Sequence, residues 1–280
     1  MKRTEKAKLE QIADQIKLLS EEFLAERLSD AAPATAGKLR SMIGGVNKTL
    51  RRALEGLDPI KHPGVVFDPA NPNIMGRFIA ITLIAQDRKP LANIERFYGS
   101  GVYALYYTGP FPAYSGLSNS EHPLYVGKAD PADPASKTVL EQGDRLSRRL
   151  NDHKKNITKA TQTLRVADFE YRALVVQTGW QSSAEDYLIH LFKPIWNKQM
   201  GICYGFGKHG DDPGTRANKR SPWDTLHRGR GWSHSDPSMP DARPEEQIIR
   251  EISAHLQVNA PFQSVDEILR KFLNEIRAVS

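Results

Sequence analysis

Two glycine-bounded runs of strand-forming residues constrain this chain most: "GSGVYALYYTG" at 99–109 and "PLYVGKA" at 123–129. Both are rich in tyrosine and aliphatic residues and too short for a stable helix, so they read as neighbouring strands. Strand boundaries fall at 103–108 and 124–129, and "LRVADFEYRALVVQ" at 164–177 reads as a third, longer strand. The segment "TVLEQGDRLSRRLNDHKKN" (138–156) is helical in pattern and strongly basic, and "SSAEDYLIHLF" (182–192) opens another helix that stops before Pro194.

Helical patterning also marks both ends. Leu9, Ile12, Ile16, Leu19 and Phe23 repeat in threes and fours across 5–28, and Leu39, Ile43, Val46 and Leu50 do so across 37–56. Joined at "DAAPATAG", they predict an N-terminal helical hairpin suited to packing or self-association. After the break "DPANPN", Asn73 can cap a helix through 74–86. Two helices close the chain, the last opened by a Ser264–Glu267 capping box. Residues 200–243 lack periodicity but hold Tyr204, Phe206, Trp223 and Trp232 among many basic residues, which argues for a functional loop over simple disorder.

The 280 residues suffice for one large core with helical additions. A net charge of +6 favours a polyanionic partner without requiring one. Cys203 is the sole cysteine, so no intrachain disulfide forms, and a small buried hydrophobe in a reducing compartment is its expected role. No apolar signal core opens the chain, and the longest apolar run, "FIAITLIA" (78–85), is too short to span a bilayer, so a cytoplasmic protein is expected.

Chemistry-bearing residues cluster around the strand pair. Arg149 and His153 lie four apart on the basic helix and project from one face, with Arg145 continuing the row. Glu185 sits near the start of the next helix and Asn197 just past its end. Each has a plainer reading. The tyrosines could be sheet packing, Arg149 and His153 a solvated face, Glu185 the partner of Ser182 in a capping box, and Asn197 a turn former.

In this order the set resembles the GIY-YIG nuclease family. "GVY" (101–103) and "YVG" (125–127) stand for the two halves of its name, with Val102 and Val126 in place of isoleucines, and Arg149, Glu185 and Asn197 follow in sequence. His153, one turn after the arginine, is similar to the type II restriction endonucleases of that family. The segment "GFGKHGDDPG" with "KRSPWDTLHRGR" resembles the branch cutting the palindrome CCGCGG. The resemblance covers roughly 73–232 and divides the chain into an N-terminal helical extension (1–72), a nuclease core (73–200), a basic DNA-recognition region (201–243) and C-terminal helices (244–280).

The resemblance implies an α+β fold, with a small central antiparallel or mixed sheet flanked by helices, and metal-dependent phosphodiester hydrolysis. Glu185 holds Mg²⁺ or Mn²⁺, Tyr103 takes a proton from water with His153 receiving or directing it, and Tyr125 bonds phosphate or water. Arg149 grips phosphate through its planar fork, Lys128 adds a contact, and Asn197 orients the metal or glutamate shell. An arginine or metal-bound water near Tyr103 favours its phenolate, whereas burial opposes it. Arg145, Lys208, His209, Arg216, Asn218, Lys219, Arg220, Arg228 and Arg230 are the candidate DNA contacts, with Trp223 a candidate for stacking. A palindrome implies a homodimer or higher homo-oligomer, and self-protection implies a cognate DNA methyltransferase. Three rivals remain at this point: a repair or homing nuclease, a non-catalytic DNA-binding protein, and covalent attack on phosphorus by Tyr103.

Overall fold

In the computed structural model, residues 3–25, 33–57, 60, 68, 70–207, 219–234 and 238–278 are described. The chain divides into two units, Met1–Gly64 and Val65–Ser280. The first holds α1 (Arg3–Ala25) and α2 (Pro33–Leu57), where the threes-and-fours pattern placed helices. Leu9, Leu19, Ile43 and Val46 of that pattern are all exposed. Of the expected connection at 30–37, residues 30–32 lie outside the described residues, while 33–37 belong to the start of α2.

In the second unit α3 (Pro72–Ile84) is capped by Asn71 rather than Asn73: the Asn71 Oδ1 accepts the Asn73 N–H at 2.9 Å. Four strands then form one sheet: β1 (Lys89–Pro90), β2 (Gly101–Tyr107), β3 (Tyr125–Ala129) and β4 (Phe169–Val175). Their order is β1-β4-β2-β3 and every pairing is antiparallel.

All seven residues of β2 are buried, because the strand is paired on both edges and covered on both faces. Successive side chains on a strand alternate between faces. Tyr103, Leu105 and Tyr107 therefore join Leu146 and Leu150 of α4 (Arg145–Lys159) together with Trp196 and Trp223. Val102, Ala104 and Tyr106 join α3, α5 (Gln181–Phe192) and α9 (Val265–Ala278) on the other face. Burial on both faces explains why "GVYALYY" reads as a continuous apolar run instead of an alternating one.

Two boundaries differ from expectation. The basic helix starts at Arg145, not at 138, because Gly143 adopts φ +72° and Gln142 is buried in the sheet end, accepting the Ser100 N–H and donating to the Val176 carbonyl. β4 starts at Phe169, a short 3₁₀ turn over Val166–Asp168 preceding it. Within α4, Leu146, Leu150, His153 and Ile157 form the buried stripe, so one face carries both core and chemistry.

The region after residue 200 is not a free loop where it is described. It folds into α6 (Pro222–Leu226) and α7 (Gly231–His234), with Cys203, Phe206 and Trp223 fully buried, before α8 (Glu245–Val258). Ser264 caps α9, and the Glu267 carboxylate accepts the Gln263 N–H at 2.8 Å. Among the described residues no helix is long and apolar enough to cross a membrane.

Candidate active site

The glycines of the two strand motifs make room for the tyrosines and for the sheet itself. Tyr103 pairs with Gly127 across β2 and β3, and a Cβ at Gly127 would stand 2.5 Å from the Tyr103 hydroxyl oxygen. A Cβ at Gly101 would meet the Leu174 carbonyl oxygen at 2.0 Å. No side chain fits at either place, so the Tyr103 ring lies across the β3 backbone towards α4.

There the Tyr103 hydroxyl meets two partners. Its oxygen lies 2.6 Å from His153 Nε2 and accepts from Arg149 Nε at 3.3 Å. Arginine only donates, so the hydroxyl proton has one acceptor of the two, Nε2. That assigns the neutral imidazole its proton on Nδ1, a buried atom with no hydrogen-bond partner among the described residues. Burial first, then the charges of Arg149 and Arg230, hold the His153 pKa well below its ordinary value. Burial likewise raises the Tyr103 pKa well above 10, and the opposing pull of Arg149 is the smaller effect. Both expected directions are present, Arg149 favouring the phenolate and burial opposing it, and burial is the larger, so the phenol is neutral.

Tyr125 is half-buried beside them, its ring 6.1 Å from Tyr103 and 5.2 Å from His153 between centroids. It also hydrogen-bonds Arg149. Arg149 in turn borders a cleft of about 420 Å³ lined by Lys128, Asp130, Arg145, Arg148 and Asp152. Arg145 donates to the Asp130 carbonyl at 3.1 Å, and Lys128 Nζ bonds the Asp130 carboxylate and Ser182 Oγ. Arg148, one residue before Arg149 and three after Arg145, faces the same cleft; helical spacing alone could have added it to the set.

Glu185 stands next to this cleft. Burial is the main reason its pKa rises to about 7, with Asp186 and Asp130 adding to the rise and Lys128 opposing it through its charge and its backbone N–H. Its helix α5 packs on the sheet face opposite Tyr103, and Glu185 reaches the cleft edge through Lys128 of β3, whose backbone N–H it accepts. The plainer capping-box reading does not hold, since Trp180 is the N-cap of α5 and the Ser182 hydroxyl accepts from Lys128. Among the described residues no three His, Cys, Asp or Glu groups form a metal cage. A single half-buried carboxylate beside an open basic cleft nevertheless fits Mg²⁺, which keeps several waters and takes one or two protein carboxylates.

Asn197 is placed differently from expectation. Its Oδ1 accepts the Val126 N–H at 3.0 Å and its Nδ2 donates to the Val126 carbonyl at 2.8 Å. Both side-chain groups are engaged by the β3 backbone, so Asn197 fixes the strand carrying Tyr125 and Gly127.

The basic set of 201–243 separates into three groups. Lys208, His209, Arg216 and Asn218 lie outside the described residues. Lys219 and Arg228 are exposed, Arg228 bonding the Asp241 carboxylate at 3.3 Å. Arg220 and Arg230 are 6% and 2% exposed, which corrects their expected contact with DNA. Arg220 donates to the Ser233 carbonyl and the Asp241 carboxylate. Arg230 forks onto buried Asp224 at 2.7 Å through both Nε and an outer nitrogen. Trp223 is fully buried under Arg230 and is likewise removed from the stacking candidates.

Sequence reasoning missed Phe206, whose ring stacks on His153 at 4.4 Å and 14°. No local pattern marks a contact across 53 positions of chain. A family model described as the Eco29kI GIY-YIG domain matches residues 95–256, more than half of the 280. No curated protein matches the chain.

Proposed function

The chain belongs to the Eco29kI GIY-YIG domain family, a restriction endonuclease family whose substrate is DNA, and from that membership we propose a type II site-specific deoxyribonuclease. Its substrate is double-stranded DNA carrying a short G·C-rich palindrome, with CCGCGG the first sequence to try. One observation carries the reading: the Tyr103 hydroxyl lies between His153 and Arg149 at the edge of a basic cleft.

Arg149, with Arg145, Arg148 and Lys128 around it, receives the scissile phosphate, and the guanidinium fork sets its orientation. Arg149 turns from Tyr103 to the phosphate, opening the hydroxyl to the attacking water. Water oxygen bonds to phosphorus as the bond to the leaving oxygen breaks. Its proton passes to the Tyr103 oxygen while the Tyr103 proton passes to His153 Nε2, so the buried phenol never carries a full charge. The leaving oxygen takes its proton from solvent. Tyr125 holds phosphate or water through its hydroxyl. Glu185 is the residue that would hold Mg²⁺ or Mn²⁺, and the ion would supply charge stabilisation at the phosphate.

Cutting both strands of a palindrome calls for one such site per strand, so the working form is a homodimer or higher homo-oligomer. Host DNA is protected by a cognate methyltransferase. Lys219 and Arg228, with 208–218, form the recognition part of 201–243. The test is digestion of unmethylated phage DNA with Mg²⁺, followed by sequencing of the ends. One short palindrome at every end supports the proposal, and scattered or structure-dependent nicks defeat it. Glu185→Gln keeps DNA binding and loses cutting. If it cuts as the parent does, the glutamate's role is wrong.

A further inference from the structure

Phe206 sits where nothing in the proposed reaction uses it, yet it makes the tightest ring contact of His153. The two rings lie nearly parallel, 4.4 Å apart at 14°, while Tyr125 meets the imidazole edge-on at 66°. Phe206 is itself braced by Trp196 at 4.6 Å and Trp223 at 5.3 Å. Its backbone is pinned as well. Asn156, one turn beyond His153 on α4, donates to the Phe206 carbonyl at 3.2 Å. Arg230 donates to the carbonyls of Gly205, Phe206 and Gly207 while bound to Asp224, and all these groups are buried.

The imidazole needs such a brace. Its Nδ1 is buried and makes no hydrogen bond among the described residues, so no second bond fixes the ring plane as a carboxylate or carbonyl does for most working histidines. Only Nε2 is held, by Tyr103. Rotation about the ring axis is opposed by stacking, not by polar contact.

We propose that Phe206, clamped by the Arg230–Asp224 pair, is a positioning residue for cleavage: its ring holds the His153 imidazole with Nε2 aimed at the Tyr103 hydroxyl and keeps water from the opposite edge. This rests on the proton relay proposed above. The groups facing His153 are Tyr103 from β2, Tyr125 from β3, Arg149 from α4 and Arg230 beside α7, and no carboxylate is its direct partner among the described residues. Removing the stack admits water, and the imidazole then regains a pKa nearer its ordinary 6.5.

Phe206→Leu keeps bulk and loses the plane; Phe206→Tyr keeps both. With the full chain, a cognate duplex and Mg²⁺, F206L lowers the single-turnover rate by about tenfold or more while KM stays within about twofold. Its acid limb moves up in pH by about one unit, and F206Y restores the rate to within about threefold. In the NMR spectrum of the unsubstituted protein, the His153 ring protons lie upfield from the stacked ring and titrate, if at all, below the ordinary imidazole range. F206L cutting at the parental rate with the parental pH profile overturns the proposal. So does a parental imidazole that lacks the upfield position or titrates at its ordinary value, which decides the matter even if F206L fails to fold. Tyr103→Phe separates the two levels. If it cuts as the parent does, the relay itself is wrong; if it is inactive and F206L is unaffected, only the brace is.

Discussion

Glu185 offers a prediction in which stability and activity move in opposite directions. Its carboxyl is raised from 4.5 to about 7 in the folded chain, chiefly by burial. A group with a raised folded pKa contributes stability fully present below its unfolded pKa and lost as pH rises through the folded one. Between roughly pH 4.5 and 7 the folded state therefore loses stability from this residue as pH rises. A shift of that size is worth about 3 kcal/mol at pH 8, at 1.36 kcal/mol per unit, and under about 1 kcal/mol at pH 5. Glu185→Gln removes the charge and keeps the shape. In metal-free buffer it raises the melting temperature by roughly 6–12 °C at pH 8, at about 2–4 °C per kcal/mol for a unit of this size, and by much less at pH 5. Mg²⁺ then stabilises the parent and leaves the variant unmoved. The assay is differential scanning calorimetry at both pH values, with and without Mg²⁺. A variant that melts at or below the parent at pH 8, or by the same margin at both pH values, refutes the reasoning.

Three further outcomes follow from the packing. Gly127→Ala drives a methyl to within 2.5 Å of the Tyr103 hydroxyl, so urea melts show a loss of about 1–3 kcal/mol and cleavage falls sharply; unchanged kinetics would mean the tyrosine is elsewhere. Asn197→Ala leaves the Val126 N–H and C=O unpaired in a buried place, a loss of about 2–4 kcal/mol for two groups by thermal denaturation. Arg230→Met strands the fully buried Asp224 carboxylate, and chemical denaturation shows a loss of about 3–5 kcal/mol, which Asp224→Leu in the same chain partly reverses.

The local elements were legible because local rules make them. "GVYALYY" and "YVGKA" are strand in the structure, and the basic segment carrying Arg145, Arg149 and His153 is helix. The order of Tyr103, Tyr125, Arg149, Glu185 and Asn197 along the chain also carried the family, which the match over 95–256 shows independently.

What sequence could not supply is burial, since burial depends on which distant segments close over a side chain. Arg220 and Arg230 have the composition of DNA contacts, yet Asp241 and Asp224 capture them inside the protein. Asn197 has the right place in the order but bonds the β3 backbone. Tyr103 has its arginine, yet enclosure outweighs that charge and keeps the phenol neutral. Phe206 reaches His153 only through the fold of the segment between them. Residue type and periodicity determined the strands, the helices and the inventory of reactive groups. Tertiary enclosure alone decided which of those groups meet, which are charged, and which serve as struts, because desolvation and pairing act through space and leave no trace in neighbouring letters.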